Sequence, residues 1–294
     1  MQDTAIHRRR HRRHRLRLRQ DASLPERILM SLLLAFVTLL SLVPVIWVTI
    51  SSFKTNLEIM DSAVSLPSRI TFDGYVAAFR IAPILTFFVN SVVVTSVSTV
   101  LNILLVGMAA YVLAMFAFRG KNLVLVLLST SLLLPMTALI QPVYIIVQRI
   151  GLYNSLPGLI LVYSSLGLPT TLFIMRGYFL SLPRSLLEAA NIDGAGFLRS
   201  FLLIMLPSAR PGLATAAVLQ FLMAWNEFLY ALVLTNAIRS RTLPIALNYF
   251  KSQFSFNYSA MFASIVVVII PSILVFVLLQ KQVISGLTSG AVKG

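Results

Sequence analysis

Residues 28–53 read ILMSLLLAFVTLLSLVPVIWVTISSF, 26 positions between Arg27 and Lys54 without a charge. A helix rises about 1.5 Å per residue, so roughly 20 apolar residues cross the ~30 Å hydrocarbon layer of a bilayer. This run is long enough to cross and too long for a secretory h-region, and no small-residue cleavage site follows it; it reads as an uncleaved first span. Four more charge-free windows follow, 81–118, 122–148, 150–175 and 252–280, and a fifth, 211–238, is broken only by Glu227. The 38-residue window 81–118 is too long for one untilted span and too short for two with a turn, and Pro83 predicts that its helix begins near Thr86. Six spans result. Outer-membrane barrel strands alternate with period 2, and runs such as Leu123–Leu134 do not.

Composition agrees. The chain of 294 residues is 58% hydrophobic and 11% charged, with mean hydropathy +0.88, more apolar surface than one soluble core can hide. Its net charge of +15 is concentrated in short stretches between the apolar runs. With six spans, residues 1–27, 115–122, 176–210 and 281–294 share one side and hold 17 Lys and Arg, against 7 in 52–85, 149–156 and 236–258. That bias places both termini in the cytoplasm, and it requires the even number of spans that the windows supply. The resulting division is a basic cytoplasmic tail 1–27, a first transmembrane helix 28–50, an extracytoplasmic loop 51–85, a transmembrane core 86–281 with a cytoplasmic loop 182–211, and a cytoplasmic tail 282–294.

The densest charge, Arg8–Arg19, has 8 basic residues and invites a nucleic-acid reading. Beside a first span, such a segment is ordinarily an orientation signal drawn to anionic headgroups of the lipid bilayer by about 1 kcal/mol per basic residue, and no nucleic-acid partner is expected. There are no Cys, and the three His all lie between positions 7 and 14, so the body has neither thiolate nor imidazole for catalysis or for a metal. Gly120-Lys121 does not make a phosphate-binding loop, because Met115 stands where the first Gly belongs and Asn122 where a Ser or Thr would hold Mg²⁺. HExxH, GxSxG and paired carboxylates are missing too. No catalytic residue is expected, and any energy must come from a partner.

The loop 182–211, LPRSLLEAANIDGAGFLRSFLLIMLPSARP, is the longest polar-punctuated segment on the cytoplasmic side. Ser185–Asn191 holds good helix formers, Asp193-Gly194 supplies a turn, and Phe197–Met205 resumes a helical apolar pattern before Pro207. Two short helices joined at a bend and lying along the membrane are predicted. On physical grounds alone they either dock a partner or merely connect two spans.

Glu188-Ala189-Ala190, Asp193-Gly194-Ala195, Ile204, Leu206-Pro207 and Pro211 resemble the EAA loop of permease subunits in binding-protein-dependent ATP-binding-cassette (ABC) importers. The likeness continues through Asn90-Ser91, Gly107–Ala114, Pro135, Gln141-Pro142, Gly151-Leu152, Trp225-Asn226, Thr242-Leu243-Pro244, Pro271 and Gly286–Gly294, covering roughly residues 86–294. Its ending and Trp225-Asn226 are similar to the carbohydrate branch, in particular the smaller maltose-type permease subunit. The resemblance implies an all-α integral membrane protein with six transmembrane helices, of the type I importer permease fold, in a bacterial or archaeal cytoplasmic membrane. It implies a second homologous permease subunit, two copies of an ABC ATPase that uses ATP and Mg²⁺, and an extracytoplasmic solute-binding protein, with no cofactor held by this chain. Glu188 would pair with a basic group on the ATPase, Ala189 and Ala190 would allow close approach, and Gly194 would make the bend. Asp193, Ala195, Leu206 and Pro207 complete the coupling motif, and the tail around Ser289, Gly290 and Lys293 would reach the ATPase as well, unless it is a disordered end.

Polar residues within the spans leave alternatives open. Glu227 is the only acid inside a span, and either faces a sugar path beside Trp225 and Asn226 or holds a gate shut against another chain. Trp225 either stacks on a sugar ring or packs. Asn90, Asn102 and Gln141 are candidates for the path, while Ser91, Thr95, Ser96, Ser98 and Thr99 suit packing against another helix. Pro135 and Pro142 interrupt the third span, as a moving gate or a static bend. The solute is expected to be a di- or oligosaccharide; a permease for a glycerol phosphate ester or a polyamine, an ion-gradient-driven transporter and a membrane scaffold are the other readings.

Overall fold

The computed structural model describes residues 24–250 and 256–291, with side chains to 281. Three helices are long and apolar enough to cross a membrane alone: α1 (Leu24–Ser51), α4 (Ile84–Met115) and α13 (Tyr258–Ala291). The other crossings are broken helices. Short α2 (Asn56–Asp61) and α3 (Asp73–Ile81) join α1 to α4.

The break in the third crossing is a near right angle, sharper than a proline kink. α5 (Lys121–Ser131) and the segment ending in α6 (Ile140–Arg149) meet at 101°. Pro135 lies in the extended region there, has no N–H to donate and disfavours helix at Leu134, so the chain leaves the helical path and re-enters through a 3₁₀ turn over Met136–Leu139. The fourth crossing, α7 (Leu156–Leu166) and α8 (Leu168–Ser181), bends by 50° around Gly167 and Pro169.

A bend strands backbone carbonyls, which apolar surroundings cannot leave unpaired. Two carboxamides from other crossings take them up at the α7–α8 break. Asn102 Nδ2 donates to Ser164 O at 2.6 Å and Gln220 Nε2 donates to Tyr163 O at 2.9 Å. The second oxygen of each amide, Asn102 Oδ1 and Gln220 Oε1, is buried without a hydrogen-bond partner among the described residues. Gln220 fits only because residue 167 is glycine: a Cβ there would lie 1.6 Å from Gln220 Oε1.

α4 sits at the centre. Its buried stripe, Ser91, Thr95, Ser98, Asn102, Val106 and Ala110, recurs at helical spacing in small or polar residues, which lets α7, α8 and α11 (Arg210–Asn226) approach closely. α11 packs along α13, and after Glu227 the fifth crossing resumes as α12 (Leu229–Leu234). α1 stands apart. Its residues are exposed until near Val48, and it is held at its C-terminal end, where the Trp47 ring meets Phe262 edge-on at 5.1 Å and its Nε1 donates to Ala63 O at 2.7 Å. Thr38, Ser41 and Thr49 bond back to the carbonyls of Leu34, Val37 and Val45, so their hydroxyls are satisfied on that exposed surface.

Candidate functional site

The segment 182–211 forms two helices at one end of the bundle. α9 (Ser185–Ile192) carries Glu188 in its first turn, exposed, with Ala189 exposed beside it and Ala190 buried. The helix ends in a Schellman motif: Ala195 N–H reaches Ala190 O at 2.9 Å, Gly194 N–H reaches Asn191 O at 3.1 Å, and Gly194 has φ +74°. Asp193 closes the helix with its N–H on Ala189 O at 2.9 Å. No neighbour lies within 4 Å of where a Cβ would stand at 194, so the requirement for glycine is one of backbone conformation rather than space.

α10 (Phe197–Ser208) follows and meets α11 at 85°. If α11 crosses the bilayer, α10 lies nearly along its surface. Inside α10 the Leu206 N–H reaches back to Phe201 O through a π-helical turn, and Pro207 next to it needs no acceptor. The segment is fastened to the crossings by aromatic packing that sequence reading did not single out. Tyr111 of α4 lies 5.4 Å from Phe197, 5.5 Å from Phe201 and 5.7 Å from Phe179 of α8, and Phe116 lies 5.8 Å from Phe197. Phe201 is fully buried and Ile192 is 86% exposed, so the segment is anchored on one face and bare on the other. Leu186, Leu198, Leu202 and Leu203 extend the bare apolar face. Of the tail residues, Ser289 and Gly290 fall in the last turns of α13, where only the backbone is described, and Lys293, like Arg8–Arg19, lies outside the described residues.

Asn90, Pro135, Gln141, Trp225, Asn226 and Glu227 do not gather into one pocket. Asn90 donates to Arg239 O at 3.1 Å and Arg241 O at 2.9 Å, fixing the loop after α12. Trp225 is 1% exposed, stacks on Phe221, meets Phe88 edge-on and donates to Val268 O at 3.1 Å, so its ring is spent on packing. Gln141 and Asn226 are exposed amides, and Asn226 Oδ1 accepts from Ser272 Oγ at 3.2 Å. Glu227 turns inward: its carboxylate accepts the Tyr230 N–H at 2.8 Å and the Ala231 N–H at 3.0 Å, capping α12, and the Tyr163 hydroxyl at 2.7 Å.

A cleft of about 560 Å³ opens on the flank between α5, α6, α7 and α8. Its walls are almost wholly apolar, with Ser131, Ser165 and Thr170 as the hydroxyls, and it contains none of the six residues above. The opposite end carries the loops. There Asn154, at φ 57°, accepts three hydrogen bonds on Oδ1, from Asn236 N, Ala237 N and Ser240 Oγ, stapling the α6–α7 loop to the α12–α13 loop. Glu58 closes the 55–68 hairpin: it accepts from the Ser68 hydroxyl and N–H and from Thr55, and these bonds hold its carboxyl down at about 2. Lys54 is buried, with its ammonium turned to Ser62 O, Ala63 O and Ser65 Oγ at 3.4–3.5 Å.

Residues 103–288 match the family described as binding-protein-dependent transport system inner membrane component. The chain is 39% identical over 260 residues to the diacetylchitobiose uptake system permease protein NgcG of Streptomyces coelicolor, covering 88% of this chain and 86% of that one. It is 36% identical to the trehalose transport system permease protein SugB of Mycobacterium tuberculosis, covering 86% and 93%. Among solved structures, a chain of a bacterial ABC transporter that imports the acidic polysaccharide alginate superposes with a TM-score of 0.76 at 25% identity, covering 88% of this chain and 98% of that one.

Proposed function

Because the chain belongs to the binding-protein-dependent transport system inner membrane components, we propose that it is one permease subunit of an ATP-driven importer for a di- or oligosaccharide. A second, homologous permease supplies the other half of the path. Two copies of an ABC ATPase, which bind the ATP and Mg²⁺, sit beneath, and an extracytoplasmic solute-binding protein delivers the sugar at the opposite face. The carrying observation is the segment 182–211: an exposed Glu188-Ala189 edge and a bare apolar face on helices anchored by buried aromatics to α4 and α8. An element so bare is built to be covered, and one so firmly anchored passes a push on to the crossings instead of absorbing it. In this reading Glu188 makes a charge-assisted contact with the ATPase, Ala189 gives close approach, and Ile192 enters an apolar groove. The charge bias puts this end, and both termini, in the cytoplasm.

The sugar assignment leans on the relatives named for diacetylchitobiose and trehalose. On this chain, Gln141 is an exposed amide that a sugar's hydroxyls can reach, the exposed Asn226 amide is already bonded to Leu222 O and Ser272 Oγ, and the cleft's apolar walls offer few partners, so much of the recognition falls to the partner permease and the binding protein.

The test is uptake of labelled mono-, di- and oligosaccharides, glycerol phosphate esters, polyamines and amino acids by wild-type cells and a clean deletion. Selective, ATP-dependent loss of one saccharide supports the reading; loss of a non-sugar solute alone overturns the sugar assignment. Gly194→Glu, which puts a bulky charge in a left-handed turn, is expected to insert normally and to hydrolyse ATP without transport. Normal uptake by that variant would remove the coupling role of the segment.

A further inference from the structure

The breaks in the third, fourth and fifth crossings are joined by one run of hydrogen bonds. At the 101° break, Met136 O accepts the Tyr230 hydroxyl at 2.7 Å. Tyr230 belongs to α12, whose first turn is capped by Glu227; the same carboxylate accepts the Tyr163 hydroxyl at 2.7 Å, from α7. Tyr163 O, in turn, is a carbonyl stranded at the 50° bend and is held by Gln220 of α11. One acid therefore touches the resumption of the fifth crossing directly, the fourth through a side chain and the third through Tyr230. Apolar packing surrounds it: Val147, Leu159, Tyr163, Tyr230, Ala231 and Leu234 share one cluster.

We infer that Glu227 is a positioning residue of the transport cycle, holding α6, α7 and α12 as one rigid body so that a displacement of α11 by the coupling helices moves all three together. The inference rests on the transport reading above. It is specific to the carboxylate: three donors converge on two oxygens, and a neutral side chain of similar shape has one acceptor to offer. Without it, α12 loses its cap and its tie to α7, and α11 moves while the outer segments lag.

The test uses the assembled importer with cysteine-free partners, in proteoliposomes with trehalose and diacetylchitobiose as probes; this chain has no cysteine of its own. Glu227→Ala is expected to keep ATP hydrolysis and to lower uptake at least about tenfold, the factor that one charge-assisted hydrogen bond is worth. Glu227→Gln should fall between the two. Cysteines introduced at exposed Leu161 of α7 and Leu232 of α12, the pair of helices that Glu227 ties, are then joined by bis-thiosulfonate reagents of graded length. In the wild-type background the link should leave uptake unchanged; in Glu227→Ala it should restore uptake, and reduction should remove the rescue. A misfolded variant would not be rescued after folding. If Glu227→Ala accumulates poorly, Tyr163→Phe with the same readouts takes its place. Uptake abolished by the link in the wild-type background, no rescue by any link length in Glu227→Ala, or full uptake by Glu227→Ala overturns the proposal; no ATP-dependent uptake by the wild type of these probes or of any other saccharide in the labelled panel overturns the sugar reading on which it rests.

Discussion

Gly167→Ala tests the way the fourth crossing is stitched. The added Cβ would stand 1.6 Å from Gln220 Oε1 and 2.7 Å from its Cδ, so the carboxamide has to leave. Its departure breaks the 2.9 Å bond to Tyr163 O and strands that carbonyl inside the bundle. A hydrogen bond between helices in a membrane protein is worth roughly 0.6–1.7 kcal/mol, and overpacking a filled site costs about 1–3 kcal/mol, so a loss of about 2–4 kcal/mol is expected. Gln220→Ala alone removes the bond but opens the space, and should cost about 1–2 kcal/mol. With Gln220 already gone, the atoms that crowd the new Cβ within 3.3 Å are gone too, and the double variant should be no less stable than Gln220→Ala. The cycle thus predicts a coupling energy of about 2–4 kcal/mol between the two positions, the whole cost of the Gly167 substitution. Reversible unfolding in mixed detergent micelles, followed by tryptophan fluorescence, reads it. Simple additivity of the two substitutions, or a Gly167→Ala protein as stable as the wild type, would refute the argument.

Two further outcomes are open to measurement. Glu58 has its carboxyl lowered from 4.5 to about 2 by the Ser68 hydroxyl and by backbone N–H groups, so it stabilises the 55–68 hairpin fully above about pH 4.5 and loses that contribution as the pH falls towards 2. Hydrogen exchange of that loop should be flat from pH 7 to 5 after correction for intrinsic rates and should rise below it in the wild type, and Glu58→Gln should exchange fast throughout; a wild-type loop indifferent down to pH 2.5 would contradict the assignment. Asn154→Ala removes the acceptor of three bonds and puts alanine at φ 57°, a loss of about 2–4 kcal/mol. Limited trypsin digestion should then cut at Arg239 and Arg241 several-fold faster, and an unchanged rate would mean that the staple carries no weight.

What could be read from the chain alone was whatever is written locally. Six crossings follow from charge-free windows, and the bend at Gly194 follows from a dipeptide whose backbone preference needs no tertiary context. Pro135 announced an interruption, but the angle came from elsewhere: Tyr230, 94 residues on, holds the Met136 carbonyl that the break sets free. Glu227 stands out as an acid in an apolar run, yet its partner Tyr163 is 64 residues away, and nothing in the order Trp225-Asn226-Glu227 says that Asn226 is the one of the three left exposed. Asn90 was a candidate for the path for the same reason and instead holds carbonyls about 150 residues distant. Long-range satisfaction of polar groups is the part that pattern cannot carry, because any acceptor stranded by a bend will serve. The Tyr111 cluster behind the coupling helices escaped notice because aromatic residues in apolar runs look alike until they meet.

The isolation of α1 bears on how the protein is built. Its backbone bonds are closed within the helix, and none of its most apolar stretch is buried against the rest, so it is already complete when it leaves the insertion machinery and needs no later segment to keep it in lipid. Its packing against the bundle is made near its C-terminal end, through Trp47. A rod of 28 residues is about 40 Å long, so a few degrees of tilt about the Trp47 contact correspond to several ångströms of displacement at its far end. The apolar flank of this helix is therefore surface that the rest of the chain does not use, and it adds a full bilayer-length strip to the face the protein turns to its surroundings.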